Sequence, residues 1–502
     1  MHARLNPPPK TPYRADVLVF GDELESCLAA VSAAKNGARV ILARRGPRTQ
    51  WLGGLSTLGG LAYMDLSPGY LSPLFARFLK KARVKRVALD PNRAHRVLQA
   101  MLRQAGVKVL HNLQYPVVQA QPENQTAYYL LDSRTQQPIA MFNTLIDATP
   151  DADLARQMGA NTWIGMDGQF GPEANFLGVS PVFTLHGVTV QALVTAEKKL
   201  RARADMGALL RAAFPANPKA EVDAWVSRDP IIGPDYIDIL NPAIGVLWHI
   251  WQTQQLQPTL SPLAAAATYP AATTWIDGAN IAILNNRLSW NGLVWRCSQL
   301  ETLLGLSRNT QPMPDELQAA MQSFEAFLRE QAGLPQARIK APRALYVRQT
   351  VNIQTRSPMT LEALLMNHSG DFLETPAGET PIGTYSYWID TRGLNLWQNA
   401  PALLPLPKPV FKTHLGCCLM QEPHLANLAV LSRAAGFYGL AQGACRIVQH
   451  LCLLAEALGI AAALATRQQG AIAQVSSEQV AQHMQRAAQN APAVYRVSPW
   501  LS

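Results

Sequence analysis

The sequence has few cysteines and no long apolar run. Its six cysteines form no Cys-x-x-Cys pair and no spacing typical of a zinc site. So few cysteines in 502 residues are typical of a reducing compartment, and we therefore expect a cytoplasmic protein. Because the spacing is not that of a zinc site, we expect no metal site. No stretch of about 18 uncharged apolar residues occurs, and the first residues lack the apolar core of a secretory signal. The sequence therefore predicts no transmembrane segment.

Charged residues are also scarce, at 16% of the chain, and basic residues exceed acidic ones by 44 to 34. A low charge content with 48% apolar residues favours a large enzyme with much buried surface over a disordered scaffold. The densest basic stretch, residues 77–86, is too short to indicate nucleic-acid binding. It is more typical of a solvated helix end than of a surface that docks an anionic partner. A protein partner or a homo-oligomer stays open.

The N-terminal part reads as a strand, a helix and a second strand. Residues 16–20 and 39–43 are apolar runs of the kind found in buried parallel strands. Between them, residues 24–36 are helical in pattern, and Gly37 follows as a helix stop. These 28 residues have the size of one βαβ unit.

Later segments continue this alternation at both ends of the chain but not in the middle. We predict helices at residues 90–102, 317–331, 445–467 and 478–489, and strands at 107–111, 128–131, 138–142, 143–149 and 425–431. Residues 163–419 carry many prolines and tryptophans and no βαβ rhythm, so they predict a separate substrate or cap domain. A part of it near residues 280–282 is expected to return to the first sheet.

The turn after the first strand is where a dinucleotide pyrophosphate binds in such folds. Of the three glycines of the Gly-x-Gly-x-x-Gly pattern, only the first is present here, as Gly21. Glu23 stands at the position of the second glycine and Ser26 at that of the third. Asp22 and Glu23 also bring negative charge to this turn. Taken alone, the turn is as consistent with a degenerate site as with a cofactor site.

The region after the second strand carries two further features. Arg44 and Arg45 stand where an acidic residue usually accepts the ribose hydroxyls, and they are either adenosine contacts or exposed arginines. Residues 51–61 then contain two glycine pairs around Ser56 and Thr57. Such a loop brings backbone amides close to a planar ligand.

The order of these motifs resembles the FAD-dependent oxidoreductase family with a glutathione-reductase-type FAD domain. After the βαβ unit and residues 51–61 come Ala148-Thr149 and residues 151–155, which match the family's Ala-Thr-Gly and Asp-Ala-Asp-Leu-Ala steps, with Pro150 in place of glycine. Further matches lie at residues 346–353, 427–433 and 446–465.

The resemblance implies an α/β fold: a Rossmann-like, parallel-sheet FAD/NAD(P)-binding domain with an inserted α+β substrate or cap domain. We expect the FAD-binding domain at 14–160 and 420–470, the cap at 161–419 with parts that return to the FAD domain, and a C-terminal tail at 471–502. The cofactor is then FAD, and the partner is a small-molecule substrate.

The resemblance also implies the residues that contact the cofactor and the substrate. The expected FAD contacts are Gly21, Asp22, Glu23, Leu24, Ser26, Arg44, Arg45, Gly53, Gly54, Leu55, Ser56, Thr57, Val117, Ala148, Thr149, Gly436 and Gly459. Arg348 is the first candidate catalytic residue, because it lies in a middle segment that resembles the family, and His249 is the second.

Three functions remain open at this point. The chain is an oxidoreductase that transfers hydride from a small molecule to FAD, an accessory protein that keeps FAD structurally, or a binding protein that has lost FAD. Glu23, Ser26, Arg44 and Pro150 favour the last, because each departs from the family at a cofactor contact.

Overall fold

The computed structural model describes residues 11–66, 71–113, 116–120, 127–132, 135–171, 175–213, 231–239, 247–248, 251–252, 273–366, 379–394, 406 and 408–489. The α-helices in these residues are α1 (Leu24–Lys35), α2 (Pro73–Lys81), α3 (Pro91–Gln104), α4 (Asp153–Gln157), α5 (Val190–Arg201), α6 (Met206–Ala213), α7 (Leu300–Ser307), α8 (Asp315–Glu330), α9 (Leu361–Met366), α10 (Ala441–Cys445), α11 (Val448–Gln468) and α12 (Ser477–Gln489).

The strands of the described residues fall into five sheets. They are β1 (Tyr13–Arg14), β2 (Val17–Phe20), β3 (Val40–Ala43), β4 (Lys108–Leu110), β5 (Val117–Ala120), β6 (Tyr128–Leu131), β7 (Pro138–Phe142), β8 (Thr144–Asp147), β9 (Thr162–Ile164), β10 (Val179–Ser180), β11 (Phe183–His186), β12 (Ile231–Ile232), β13 (Tyr236–Ile239), β14 (Thr274–Leu284), β15 (Arg287–Trp295), β16 (Arg338–Lys340), β17 (Tyr346–Val347), β18 (Val351–Ile353), β19 (Gly383–Ser386), β20 (Val410–Thr413) and β21 (Leu428–Val430).

The central sheet is parallel throughout and has the order β21-β8-β2-β3-β4. Strands β2, β3, β8 and β21 are buried along their whole length, which explains why their sequences are apolar runs rather than alternating patterns. The last of these strands comes from near the end of the chain. The predicted Rossmann-like α/β fold with a parallel sheet is therefore confirmed.

Helices α1 and α11 pack against each other beside this sheet. Small residues allow the approach: a Cβ atom on Gly459 would lie 2.4 Å from the Ser32 Cβ and 2.7 Å from the Ala29 carbonyl oxygen. The Ser32 hydroxyl donates a 2.7 Å hydrogen bond to the Glu456 carbonyl. Helix α11 is apolar and long enough to span a membrane, but 94% of its most apolar window is buried inside the fold, as expected of a core helix.

A second, antiparallel sheet forms the inserted domain. Its strands have the order β12-β13-β14-β15-β10-β17, and β11 pairs with both β15 and β16. Helices α5, α7 and α8 pack on it through a core that includes Phe183, Trp290 and Phe324. The prediction that residues 280–282 return to the first sheet is wrong, because these residues lie within β14 and pair with β13 and β15.

The two large hydrophobic cores of the described residues show which segments of the chain each domain uses. The second core extends from Phe176 to Val347. Ile353, Tyr385 and Phe411, which lie later in the predicted cap, pack in the first core instead. Part of the middle region therefore does return to the first domain, although at residues other than those expected. Helix α12 also joins the first core, through Val480 and Met484.

Candidate functional site

The turn between β2 and α1 opens at the carboxyl edge of the parallel sheet. Gly21 has φ of 153°, and a Cβ atom there would lie 2.4 Å from the Ala148 carbonyl oxygen, so only glycine fits. Glu23 is the N-cap residue of α1, but its side chain does not cap the helix. It turns away, and its Oε2 accepts a 2.8 Å hydrogen bond from the Leu55 amide.

The glycine-rich loop after β3 lies directly against this turn. The Gly53 amide donates a 2.7 Å hydrogen bond to the Asp22 carbonyl. Gly54 has φ of 42°, and a Cβ atom on it would lie 2.1 to 2.3 Å from the three carboxyl atoms of Glu23. The close contact of the turn and the loop thus depends on the missing side chain of Gly54.

A third turn, after β8, is fixed by the buried Asp147. Its Oδ1 accepts hydrogen bonds from the Thr149 amide at 3.0 Å and the Thr149 hydroxyl at 2.7 Å. Its Oδ2 accepts from the amides of Leu154 and Ala155 at 2.8 and 2.9 Å. One carboxylate therefore joins the end of β8 to the first turn of α4 and holds Pro150 between them.

These turns enclose one end of a cleft of about 550 Å³ that lies between the two domains, a size typical of sites for small molecules and cofactors. Its lining is Asp22, Glu23, Arg45, Gly46, Gln50, Gly54, Leu55, Leu58, Pro116, Val117, Pro150, Asp153, Leu154, Gln157, Ser307, Arg308, Asn309, Thr310, Ala344, Leu345, Tyr346, Val347 and Arg433. Ligands of open α/β sheets bind at this edge, beyond the carboxyl ends of the strands.

The charges of the cleft are mostly paired. Asp153 forms 2.6 Å ion pairs with Arg45 and with Arg308. Burial raises the pKa of Asp153, but the two guanidinium groups outweigh it and hold that pKa below the usual value. Arg433 bonds to Asp151 at 2.7 Å and to the Ser307 hydroxyl at 2.6 Å.

Glu23 is the unusual ionisable group in this lining. Burial, and next the charge of Asp22, raise its pKa to about 7, although Arg433 and the Leu55 amide oppose the shift. Burial and the charge of Glu23 likewise raise the pKa of Glu25 to about 8. The carboxyl groups of Glu23 and Glu25 therefore titrate close to neutral pH.

A buried network of arginines lies behind Tyr346 at the far side of the cleft. The Tyr346 hydroxyl and Asp390 both accept hydrogen bonds from Arg446. The Arg348 guanidinium lies 4.5 Å from the Tyr346 ring centroid and donates to the Ser180 hydroxyl at 2.8 Å. Burial raises the pKa of Asp390, but Arg392, then Arg446 and Arg348, hold it well below its usual range.

The structure brings many of the predicted cofactor contacts together at the cleft. Asp22, Glu23, Arg45, Gly54, Leu55 and Val117 line it directly. A second group shapes the surrounding turns or packs directly behind them without lining the cleft, and it comprises Gly21, Leu24, Ser26, Gly53, Ser56, Thr57, Ala148 and Thr149. Arg44 lies behind the lining and bonds to Asp22, Gln50 and Trp51.

Other predicted site residues lie elsewhere. Gly459 is in the interface of α1 and α11, and a Cβ atom on Gly436 would lie 1.8 Å from the Thr355 hydroxyl oxygen, so both glycines serve packing and neither lines the cleft. Arg348 is 1% exposed and reaches the cleft only through Tyr346. His249 lies outside the described residues.

Sequence reasoning missed the residues that the inserted domain and a late loop contribute to the cleft. These are Ser307 to Thr310 after α7, Ala344 to Val347 around β17, and Arg433 after β21. Residues 346–353 and 427–433 were noticed as matching segments. That they meet at one cleft requires the pairing of β21 with β8.

Fold and cleft together define a two-domain, dinucleotide-binding α/β protein. The sequence model of the FAD dependent oxidoreductase family matches residues 16–484, which is nearly the whole chain. The chain belongs to this family. It is an FAD-dependent oxidoreductase, and the family indicated by its motifs is confirmed.

Solved structures of flavin enzymes are similar to this chain at low identity. An anhydrotetracycline hydroxylase from Streptomyces rimosus has a TM-score of 0.40 and 8% identity, over 96% of this chain and 69% of its own. A p-nitrophenol 4-monooxygenase from Pseudomonas putida has a TM-score of 0.40 and 10% identity, over 97% and 90%. A halogenase in complex with FAD has a TM-score of 0.38 and 11% identity, over 94% and 73%. No curated protein matches the sequence.

The cleft fits the family's cofactor with one exception. The glycine turns at Gly21 and Gly54 bring backbone to the cleft, and the first turn of α1 has no side-chain cap, which leaves its backbone N–H groups available to an anion. Arg45 and Val117 also line the cleft. The exception is Glu23, whose carboxylate accepts the hydrogen bond of the Leu55 amide.

Proposed function

We propose that the chain oxidises a small molecule by accepting a hydride from it at FAD held in the cleft. The observation that carries this is the position of the cleft at the carboxyl edge of the parallel sheet, between the glycine turns and the inserted domain. FAD, when bound, supplies the two-electron chemistry. The protein supplies binding, orientation and the exclusion of water.

The residues of the cleft divide naturally between these tasks. The turns at Gly21 and Gly54, with Arg45 and Val117, would hold the dinucleotide. The substrate would enter from the side formed by the inserted domain, where Asn309 and Tyr346 face the cleft. Tyr346 is held by Arg446, so it offers a fixed aromatic and polar surface against which a small molecule is oriented.

We retain Arg348 as a residue of this reaction, but as a positioning residue. Its guanidinium packs on the Tyr346 ring and bonds to the Gly178 carbonyl at 2.9 Å and the Ser180 hydroxyl at 2.8 Å. This arrangement supports a role in fixing Tyr346. A cytoplasmic location belongs to the same proposal, supported by six cysteines that are all unpaired.

The first experiment is an absorbance spectrum of the purified protein, followed by release of the chromophore by heat. We expect flavin bands in the near-ultraviolet and blue, with FAD as the released compound. Anaerobic mixing with candidate small molecules then bleaches the blue band if one of them donates a hydride. Deuterium at the donor carbon of that compound is expected to slow the bleaching.

Two outcomes would contradict the proposal. A yellow protein that no compound reduces, although dithionite bleaches it, would instead support a structural FAD. A folded but colourless protein that FAD cannot reconstitute would support a binding protein derived from a flavoenzyme, an alternative that Glu23 specifically favours.

A further inference from the structure

The Glu23 carboxylate accepts a hydrogen bond from the backbone amide of Leu55, a residue that lines the cleft. Glu23 lies at the second position of the β2–α1 turn, and its Oε2 is 2.8 Å from the Leu55 nitrogen. Its three carboxyl atoms lie against Gly54, within 2.3 Å of where a Cβ atom would stand. Glycine-loop amides beside the start of a helix are the groups that bind phosphate in dinucleotide sites. Here the Glu23 carboxylate, an anion of the chain itself, accepts the hydrogen bond that a phosphate would otherwise accept.

The neighbours of this carboxylate come from four elements. On the turn and α1 itself, Asp22 and Glu25 are acidic. Arg44, after β3, is already paired with Asp22 at 2.7 Å. Arg433, after β21, lies close enough to favour the charged form of Glu23, but it is paired with Asp151. No cation among the described residues forms an ion pair with Glu23 itself.

A phosphate group that approaches this amide meets negative charge. Because like charges disfavour ionisation, the incoming anion raises the pKa of Glu23 further above its already raised value of about 7. The carboxyl group then either leaves the site or takes up a proton. Uptake is the simpler response, since a neutral carboxyl group donates a hydrogen bond to a phosphate oxygen.

We propose that Glu23 is an internal anion that holds the Leu55 amide in the cofactor-free protein and takes up one proton from solvent when the FAD pyrophosphate binds. The inference rests on the proposed FAD site. It predicts that the affinity for FAD falls as the pH rises, by about tenfold per pH unit above pH 7, as linkage to one proton requires. Below pH 7 the affinity is nearly constant, because Glu23 is already neutral.

The test is a fluorescence titration of the cofactor-free protein with FAD from pH 6 to pH 9. Glu23→Gln keeps the size of the side chain and removes its charge. We expect this variant to bind FAD with no pH dependence and, at pH 9, about 100-fold more tightly than the unmodified protein. ADP, which carries the pyrophosphate without the flavin, is expected to show the same dependence on pH.

Glu25→Gln is the matched control. It removes an equal charge from the same turn of α1 but leaves the contact between Glu23 and Leu55. Its FAD affinity should still fall with pH, because burial and Asp22 continue to raise the pKa of Glu23. The decline should begin at slightly lower pH, because only the repulsion from Glu25 is lost. If the pH dependence instead disappears in Glu25→Gln and persists in Glu23→Gln, the proposal is overturned.

A second measurement needs no variant. Calorimetric titration of the unmodified protein with FAD at pH 8, in buffers of different ionisation enthalpy, counts the protons taken up; we expect about one. FAD binding without proton uptake overturns the role of Glu23 and leaves the proposed function intact. Absence of FAD binding at every pH, in both the unmodified protein and Glu23→Gln, overturns the two proposals together.

Discussion

Arg44 forms an ion pair with Asp22 across the carboxyl edge of the parallel sheet, with 2.7 Å between Nη2 and Oδ2. The Arg44 side chain is 1% exposed and that of Asp22 is 24% exposed. The guanidinium also donates to the carbonyl oxygens of Gln50 at 2.9 Å and Trp51 at 3.2 Å. One arginine therefore joins the β2–α1 turn to the glycine-rich loop.

Replacing Arg44 by methionine is expected to destabilise the protein by about 3 kcal/mol, because it leaves a half-buried carboxylate and two carbonyl groups without their donor. Urea unfolding gives the loss. The control is Arg39→Met, which breaks the 2.6 Å pair with Asp16 at an arginine that is 68% exposed. That change should cost about 0.5 kcal/mol, and equal losses in the two variants would contradict the assigned role of Arg44.

The contrast between Arg44 and Gly54 shows what the sequence could predict of the site. The apolar runs of β2 and β3 and the loop at Gly54 were recognisable, because burial and glycine leave a local pattern. The direction of the Arg44 side chain was not recognisable in the same way. A local pattern places this residue at the strand end but does not identify Asp22 as its partner. Arg433 reaches the same cleft from nearly 400 residues further along, through a pairing that no local pattern encodes.

The antiparallel sheet of the inserted domain was the least predictable part of the fold. β14 and β15 form its longest pairing, but a register shift between Ile276 and Asn280 interrupts it. This irregularity breaks the two-residue alternation that marks a strand. By contrast, β6 and β7 were predicted at their observed bounds, because each is a short apolar run set off by polar residues.

Gly459 is expected to be sensitive to a single added methyl group. Gly459→Ala would place a Cβ atom 2.4 Å from the Ser32 Cβ and 2.7 Å from the Ala33 nitrogen, so α1 and α11 must separate. We expect a loss of about 2 kcal/mol in unfolding free energy by urea, in spite of the better helix propensity of alanine.

Gly106→Ala is the control for this substitution. Its φ of 73° strains any side chain, but no atom lies within 4 Å of the added Cβ, so the expected loss is about 1 kcal/mol from the backbone alone. If Gly459→Ala is as stable as the unmodified protein, the helices pack less closely than described.

His450 is expected to make the protein less stable in mild acid. Burial lowers its pKa to about 4, and its ring bonds to the Cys445 carbonyl through Nδ1 and to the Thr413 hydroxyl through Nε2, both at 2.6 Å. The unfolded chain binds a proton at this residue below about pH 6.5, but the folded protein does so only near pH 4. The stability that His450 contributes is therefore complete above pH 6.5 and is lost as the pH falls towards 4, by about 3 kcal/mol.

The measurement is urea unfolding between pH 7 and pH 4.5. His450→Gln should be less stable at pH 7 but should lose less stability on acidification than the unmodified protein. His483→Gln, at a partly exposed position on α12, is the control and should leave the slope unchanged. An unchanged slope in His450→Gln would show that other groups cause the acid sensitivity.

Arg348→Met tests the structural role of Arg348 in the buried network behind Tyr346, by urea unfolding. The change removes the donor to Gly178 and Ser180 and one of the cations around Asp390, so we expect a loss of about 3 kcal/mol in unfolding free energy. Arg308→Met removes an arginine that lines the cleft but is 32% exposed, and it should cost less than about 1 kcal/mol. Full stability of Arg348→Met would contradict its place in the buried network.

The packing of α1 against α11 has a consequence for synthesis of the chain. About 400 residues separate these helices, and translation at about 5–20 residues per second leaves α1 without its partner for roughly 20–80 s. During this time the face of α1 that packs on α11 has no cover from its own chain, although the inserted domain is already complete enough to fold. We therefore expect the nascent chain to depend on chaperones until α11 has left the ribosome.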